Sequence, residues 1–181
     1  CQASWNLRQN EKIANIFAKI WNVDKEELLV SFDGLSFGLP PEQTNKGWFR
    51  GNTWYHTDQS YTNSEFQCVQ SWITARDVKR GDATLAFMEG SHKYHKEFQE
   101  RFQINDKKDW YLLKKGVKDG EQFYRDKGCS YKKIMCPRGS LVLWDSRTIH
   151  CGMEPMRERE NPNIRCIIYL CYMPRSMATP A

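Results

Sequence analysis

Four histidines occur in the chain, at positions 56, 92, 95 and 150, and the first stands two residues before an aspartate in His56-Thr57-Asp58. Residues i and i+2 of an extended strand project to the same face, so His56 and Asp58 can offer an imidazole nitrogen and a carboxylate oxygen to one metal ion. Alone, this pattern is weak. A second half of the same site is available in His150, which follows a buried-type run and a polar turn, Leu141-Val142-Leu143-Trp144-Asp145-Ser146-Arg147-Thr148-Ile149-His150. A lone His so placed is most often a satisfied structural residue, and what argues otherwise is the strand that comes next.

That strand is Arg165-Cys166-Ile167-Ile168-Tyr169-Leu170-Cys171-Tyr172-Met173. Alternation puts Arg165, Ile167, Tyr169 and Cys171 on one face and Cys166, Ile168, Leu170 and Tyr172 on the other. Both faces are apolar, so the strand is central and Arg165 points into the protein or at its mouth. A buried guanidinium needs an anion, either a structural Asp or Glu or the carboxylate of a ligand. Two His, one Asp and a buried Arg together describe a facial triad that holds Fe(II) on one side and leaves three positions open. A dicarboxylate such as 2-oxoglutarate can occupy two of them and seat its far carboxylate in the Arg fork.

The elements that must carry these residues are readable in outline. Asn10 to Trp21 places Ile13, Ile16, Phe17 and Ile20 at amphipathic-helix spacing, and Asp24 with Glu27 predicts a capping box opening a short second helix. From Leu28 the texture turns to strand and turn. Short β-rich runs follow at 53–58, 66–75, 83–89, 140–145 and 165–173, which predicts an antiparallel sandwich or barrel. Residues 94–133 interrupt that pattern with a helix at 94–102 and a charged, Gly-containing stretch longer than ordinary loops.

Composition bounds the rest. The 181 residues include 24 aromatics (7 Trp, 8 Tyr, 9 Phe), enough large surface for one domain with a substantial core, and no apolar run reaches the length of a membrane span. The seven cysteines, at 1, 68, 129, 136, 151, 166 and 171, form no Cys-x-x-Cys pair, which argues against zinc ribbons and thioredoxin chemistry. Free thiols in strand-like runs predict a reducing, cytoplasmic setting. Lys93 to Lys133 holds 12 Lys and Arg against 7 Asp and Glu, a surplus of +5 equal to the net charge of the whole chain.

With these motifs in hand, the chain resembles the phytanoyl-CoA dioxygenase-like group of Fe(II)- and 2-oxoglutarate-dependent oxygenases. The resemblance runs from about Trp54 to Met173 and rests on His56-Thr57-Asp58, on Gly81-Asp82 through His92-Lys93, on Arg138-Gly139-Ser140 through His150, and on the Arg165 strand. Glu89-Gly90-Ser91-His92 departs from the family's Pro-Gly-Ser-His turn only in its first residue. The resemblance implies a double-stranded β-helix, the jelly-roll or cupin-like barrel, preceded by N-terminal helices and carrying 94–133 as an insertion. It implies that His56, Asp58 and His150 bind iron, that Arg165 binds the distal carboxylate of 2-oxoglutarate, and that Trp72 lines the cosubstrate pocket. Gly152 departs from the hydroxyl residue common two places after the second His, a contact that Ser140 or Tyr169 could replace. His92 and His95 are implied to be structural.

The implied reaction is hydroxylation of a C–H bond in a small molecule with O2, releasing succinate and CO2. Asp58 favours hydroxylation over halogenation, since halogenating relatives carry Ala or Gly there. Two other classes fit less well: a catalytically silent metal- or 2-oxoglutarate-binding protein, and an oxygenase acting on nucleic acid. The latter is suggested by Trp110, Tyr111, Phe123, Tyr124 and Tyr131 among basic residues, and is disfavoured by the acidic residues mixed with them. The insertion is expected to act as a lid, its aromatics covering the substrate, its 116–128 stretch the most mobile part, and its positive surplus drawing an anionic substrate.

Overall fold

The computed structural model describes residues 1–157 and 159–178; the side chain of Lys115 also lies outside the described part. Helix α1 (Gln2–Arg8), which the sequence patterning does not anticipate, leads into α2 (Glu11–Trp21). Asn10 caps α2: its side-chain oxygen accepts from the backbone N–H of Lys12 at 3.0 Å and of Ile13 at 3.4 Å. Ile13 and Phe17 are buried, while Ile16 and Ile20 lie at the rim. The segment after Asp24 is a single 3-10 turn, Lys25–Glu27, and the Asp24 side chain makes no cap bond, because the chain turns straight into a strand at Leu28.

The strands are β1 (Leu28–Val30), β2 (Leu35–Gly38), β3 (His56–Thr57), β4 (Val69–Thr74), β5 (Thr84–Glu89), β6 (Tyr111–Leu112), β7 (Ser130–Lys133), β8 (Leu141–Asp145), β9 (His150–Met153) and β10 (Arg165–Pro174). A short helix α3 (Pro41–Thr44) precedes β3, and α4 (His95–Phe102), α5 (Leu113–Gly116) and α6 (Gly120–Asp126) lie between β5 and β7. All pairings are antiparallel and give two five-stranded sheets. One runs β1-β10-β4-β8 with β2 also on β10; the other runs β6-β3-β9-β5-β7. The jelly roll is therefore two facing sheets, and among the described residues it does not close into a continuous barrel.

Period-two alternation sorts the side chains into layers. On β10, Ile167 and Tyr169 turn inward toward Trp72, Leu85, Val142 and Trp144, while Ile168, Leu170 and Tyr172 turn outward beneath α2. Phe17 of α2 packs on Tyr172 with ring centroids 4.7 Å apart. The other sheet likewise sends Leu85 inward, and Ala86, Met88, Cys151 and Met153 outward into a third cluster.

That third cluster is built largely by the insertion. Phe98 and Tyr124 are fully buried and stacked at 4.9 Å, and the Tyr124 hydroxyl meets that of Tyr61 at 2.9 Å. Tyr111, Phe123 and Tyr131 pack against the same cluster. The stretch expected to be most mobile thus contains helix α6 with a core tyrosine, and four of the five aromatics expected to cover a substrate are instead structural. Truncating Phe98 or Tyr124 to Ala would cost roughly 3–5 kcal/mol.

The turn motifs have local reasons. Gly81 has φ +86°, and a Cβ there would come within 2.8 Å of Arg159 Cβ; Asp82 beside it accepts from the Arg159 guanidinium at 2.8 Å. Ser91 accepts from Ile149 N–H at 2.9 Å and donates to Met88 O at 2.8 Å, clamping the start of β9 to the end of β5. No helix among the described residues is long and apolar enough to cross a membrane, and all seven cysteines are free.

His95 is structural, as expected. Its Nε2–H donates to Ser60 O at 3.0 Å, its ring stacks on Tyr61 at 4.3 Å, and its buried Nδ1 has no partner. Burial lowers its pKa from the ordinary 6.5, and half-buried His92 is shifted the same way. The unfolded chain therefore takes up the His95 proton before the folded one does, so stability rises with pH in this window. It is fully present above the ordinary value and is lost as pH falls through the lowered folded value. The melting midpoint of metal-free protein is expected to drop between about pH 7.5 and about pH 5.5, and His95→Gln to flatten that drop. An unchanged slope in the variant would assign the loss to other groups.

Candidate active site

Register brings the histidines together: His56 on β3 lies directly opposite His150 on β9, with ring centroids 4.5 Å apart. Each Nδ1 faces a backbone carbonyl, Trp54 O at 3.0 Å for His56 and Thr148 O at 2.8 Å for His150, so each Nδ1 carries the proton. Both Nε2 lone pairs are thereby free and aimed at one carboxylate. Asp58 Oδ1 lies 3.3 Å from His56 Nε2, and Asp58 Oδ2 lies 3.2 Å from His150 Nε2. The candidate ligand atoms of the three residues all lie within 4.8 Å of one another.

Thr57 between them is fully buried, so the strand cannot rotate without dragging a core residue out. Asp58 is fixed from both sides of its backbone, its N–H bonding Ser146 O at 3.2 Å and its carbonyl accepting from Trp110 N–H at 3.1 Å. Burial works to raise the Asp58 pKa, yet the closeness of His150 and His56, with Gln70 beside them, holds the carboxyl well below the usual range. Two neutral imidazoles and an ionised carboxylate on one face suit a single first-row divalent cation.

These residues line a cavity of about 470 Å³ between the sheets, shared with Arg165, Trp72, Tyr169, Gln70 and Trp144. Four of its walls carry buried polar atoms with no partner in the protein: Arg165 Nη1, Trp72 Nε1, Trp144 Nε1 and Gln70 Oε1. Unpaired buried donors and acceptors cost free energy unless something else satisfies them. Three donors around one cavity fit a carboxylate ligand. The positions predicted from sequence, His56, Asp58, His150, Arg165 and Trp72, all reach this cavity. Of the two replacements suggested for the missing hydroxyl at Gly152, Tyr169 lines the cavity and Ser140 does not.

Gln70 and Trp144 were not anticipated, although period-two alternation from Trp72 and Val142 points to both. Trp54 was also missed. Its indole stacks on His56 at 4.6 Å and 6°, and its Nε1–H donates to Gly152 O at 3.1 Å, two residues beyond His150. It thus ties the strands of both histidines together. Trp54→Ala is expected to weaken Mn(II) binding by up to about tenfold, roughly 1.4 kcal/mol, with Trp54→Phe retaining most of it. Equal affinity in wild type and both variants would leave Trp54 as cavity wall only.

The insertion meets the site at Trp110, half exposed with φ +69°, whose ring lies 5.4 Å from that of His56. Among the described residues, no Lys or Arg of 93–133 lines the cavity, whose charged residues apart from the histidines are Asp33, Asp58 and Arg165. The expected attraction of an anionic substrate by that segment has no counterpart in the cavity wall.

Residues 7–154 match the family model described as phytanoyl-CoA dioxygenase. The chain is 32% identical over 180 residues to Ava biosynthesis cluster protein O of Aspergillus versicolor, covering 97% of this chain and 55% of the relative. It therefore spans about half the length of that curated relative. Among solved structures, AviO1 from Streptomyces viridochromogenes Tue57 superposes with a TM-score of 0.59 at 18% identity, over 97% of this chain and 62% of AviO1. The epimerase SnoN, in complex with Fe3+, α-ketoglutarate and nogalamycin RO, superposes with a TM-score of 0.54 at 14% identity, over 96% of this chain and 59% of SnoN. At these identities the two superpositions speak to the fold.

Proposed function

We infer the activity from one premise: this chain belongs to the phytanoyl-CoA dioxygenase family. It is a non-haem iron and 2-oxoglutarate-dependent oxygenase acting on a small molecule, and the reaction we assign to it is hydroxylation of a substrate C–H bond, with succinate and CO2 released. The observation that carries this reading is the coincidence, in one cavity, of the His56, Asp58, His150 cluster with the unpaired donors of Arg165, Trp72 and Trp144. When bound there, iron and 2-oxoglutarate supply the activation of O2 and the oxidising power for the C–H bond.

The chain's own residues supply placement. His56, Asp58 and His150 would hold the metal, the two Nδ1–H bonds keeping both Nε2 atoms available. Arg165 takes the distal carboxylate of 2-oxoglutarate, with the indole N–H groups of Trp72 and Trp144 as the further donors. Gln70 stands beside Asp58 on the cavity wall, where its amide can support the carboxylate. Because Asp58 fills the carboxylate position, no halide can take it, which favours hydroxylation. We assign the chain as a single oxygenase domain, working in a reducing compartment. Residues 94–133 form its outer cover, with Trp110 the point where that cover meets the site.

The test is a screen of small-molecule pools with Fe(II), 2-oxoglutarate and O2, reading succinate release together with a substrate mass gain of one oxygen. Succinate release with inversion at carbon and no mass gain would replace hydroxylation by epimerisation. Absence of succinate under every condition, with iron and 2-oxoglutarate both shown to bind, would make the protein a binder without turnover.

A further inference from the structure

Cys68, the residue before β4, and Cys171, on β10, bring their Sγ atoms within 3.5 Å of each other. Both line the cavity that holds the metal cluster, and neither has a part in binding metal or cosubstrate. Cys171 Sγ also lies 3.3 Å from the carbonyl oxygen of Val69. The two thiols come from adjacent antiparallel strands, Cys171 pairing with Gln70 in register, so the gap can close by a small movement at the end of β4.

The pair is chemically unequal. The hydrogen bond from Cys171 lowers the Cys68 pKa, the same contact raises that of Cys171, and burial raises those of Cys129, Cys136 and Cys151. Cys68 is thus the thiol best able to act as a nucleophile, and its neighbour is placed to resolve the product.

We propose that Cys68 and Cys171 are a peroxide-reactive thiol pair in the cavity wall, whose closure to a disulfide weakens metal binding at the adjacent site. The Cys68 thiolate attacks hydrogen peroxide; the O–O bond breaks, one oxygen stays on sulfur as a sulfenic acid, and the other leaves as hydroxide. The Cys171 sulfur then attacks the Cys68 sulfur, the S–S bond forms, the S–O bond breaks, and the departing hydroxide takes the Cys171 proton. Two thiols and one peroxide give one disulfide and two waters, sulfur being oxidised and peroxide reduced. Closure draws Cys68 toward β10 and shifts Gln70, two residues on, which shares the cavity wall with Asp58. The effect on the metal rests on the reading of His56, Asp58 and His150 as ligands; the thiol chemistry does not.

The experiment treats metal-free protein with hydrogen peroxide and maps its peptides. The expected result is a Cys68–Cys171 disulfide, reversed by a dithiol reductant, and in Cys171→Ser a sulfenic acid at Cys68 trapped by a cyclic 1,3-dione. Full alkylation of both residues after peroxide, with oxidation confined to exposed Cys1, would overturn the thiol pair. Mn(II) titration of the oxidised protein should show affinity reduced by about tenfold and restored on reduction. Disulfide formed with Mn(II) affinity unchanged would overturn the coupling to the site. If the reduced protein fails to bind Mn(II), the ligand assignment fails while the mapped disulfide still stands.

Discussion

Replacing Asp58 by Ala is expected to lower the affinity for Mn(II) or Fe(II) by about 100-fold or more and to remove 2-oxoglutarate decarboxylation. The carboxylate is the only anionic member of the cluster and the one that both Nε2 atoms face, at 3.3 and 3.2 Å. Without it two neutral imidazoles remain, which hold a divalent cation far less tightly. The fold should survive, since the bonds fixing this position run through the Asp58 backbone to Ser146 and Trp110 and do not need the side chain. Metal titration, circular dichroism and succinate assay on the same preparation separate these effects. Partial recovery with added formate would mark a missing ligand. Full activity without added halide or carboxylate would end the assignment.

Arg165 has the second largest expected effect, and there the geometry of the charge matters more than its sign. A guanidinium offers parallel N–H groups to a carboxylate, whereas an ammonium contacts it as a point. Losing one charge-assisted hydrogen bond costs about 1.5–3 kcal/mol, so Arg165→Lys should raise the KM for 2-oxoglutarate by about 10- to 100-fold. Metal affinity should stay within about twofold, because the Arg165 strand lies in the sheet opposite the histidines. If the variant instead melts at a much lower temperature with an unchanged KM in its folded fraction, Arg165 is an internal counter-ion and the cosubstrate site must be sought elsewhere in the cavity.

Half of the candidate metal cluster was legible from short-range rules; His150 entered through the family resemblance, since its place opposite His56 is a matter of strand register. Two-residue spacing puts His56 and Asp58 on one face, and alternation along 165–173 separates Arg165, Ile167 and Tyr169 from Ile168 and Leu170. Gln70 and Trp144 follow from the same alternation once Trp72 and Val142 are set on the inner face, whereas Trp54 was not legible: its partners lie on other strands, and pairing register is a property of the folded sheet. The insertion misleads for another reason. Lys and Arg alternate with aromatics along 110–133, which reads as a wet cover; yet the seven-residue helix α6 turns Gly120 and Tyr124 inward and leaves its charges outside. Helix α1 is too short for its periodicity to stand out, and the Asp24 box failed because a favourable capping sequence cannot hold a helix where the strand begins at Leu28.

Strand β10 bonds to β1, β2 and β4 and carries Arg165, yet among the described residues it is the last of ten strands in chain order. During synthesis from the N-terminus, β1 and β2 emerge about 130 to 145 residues before their partners, with their backbone edges unpaired. Exposed edges of this kind invite pairing with other chains. Apart from the β4–β8 pair, the first sheet therefore forms in a late step that also delivers Arg165 to the cavity. A ribosome-bound chain stalled before β10 is released should be sensitive to protease and prone to aggregate, even though His56, Asp58 and His150 have already been made.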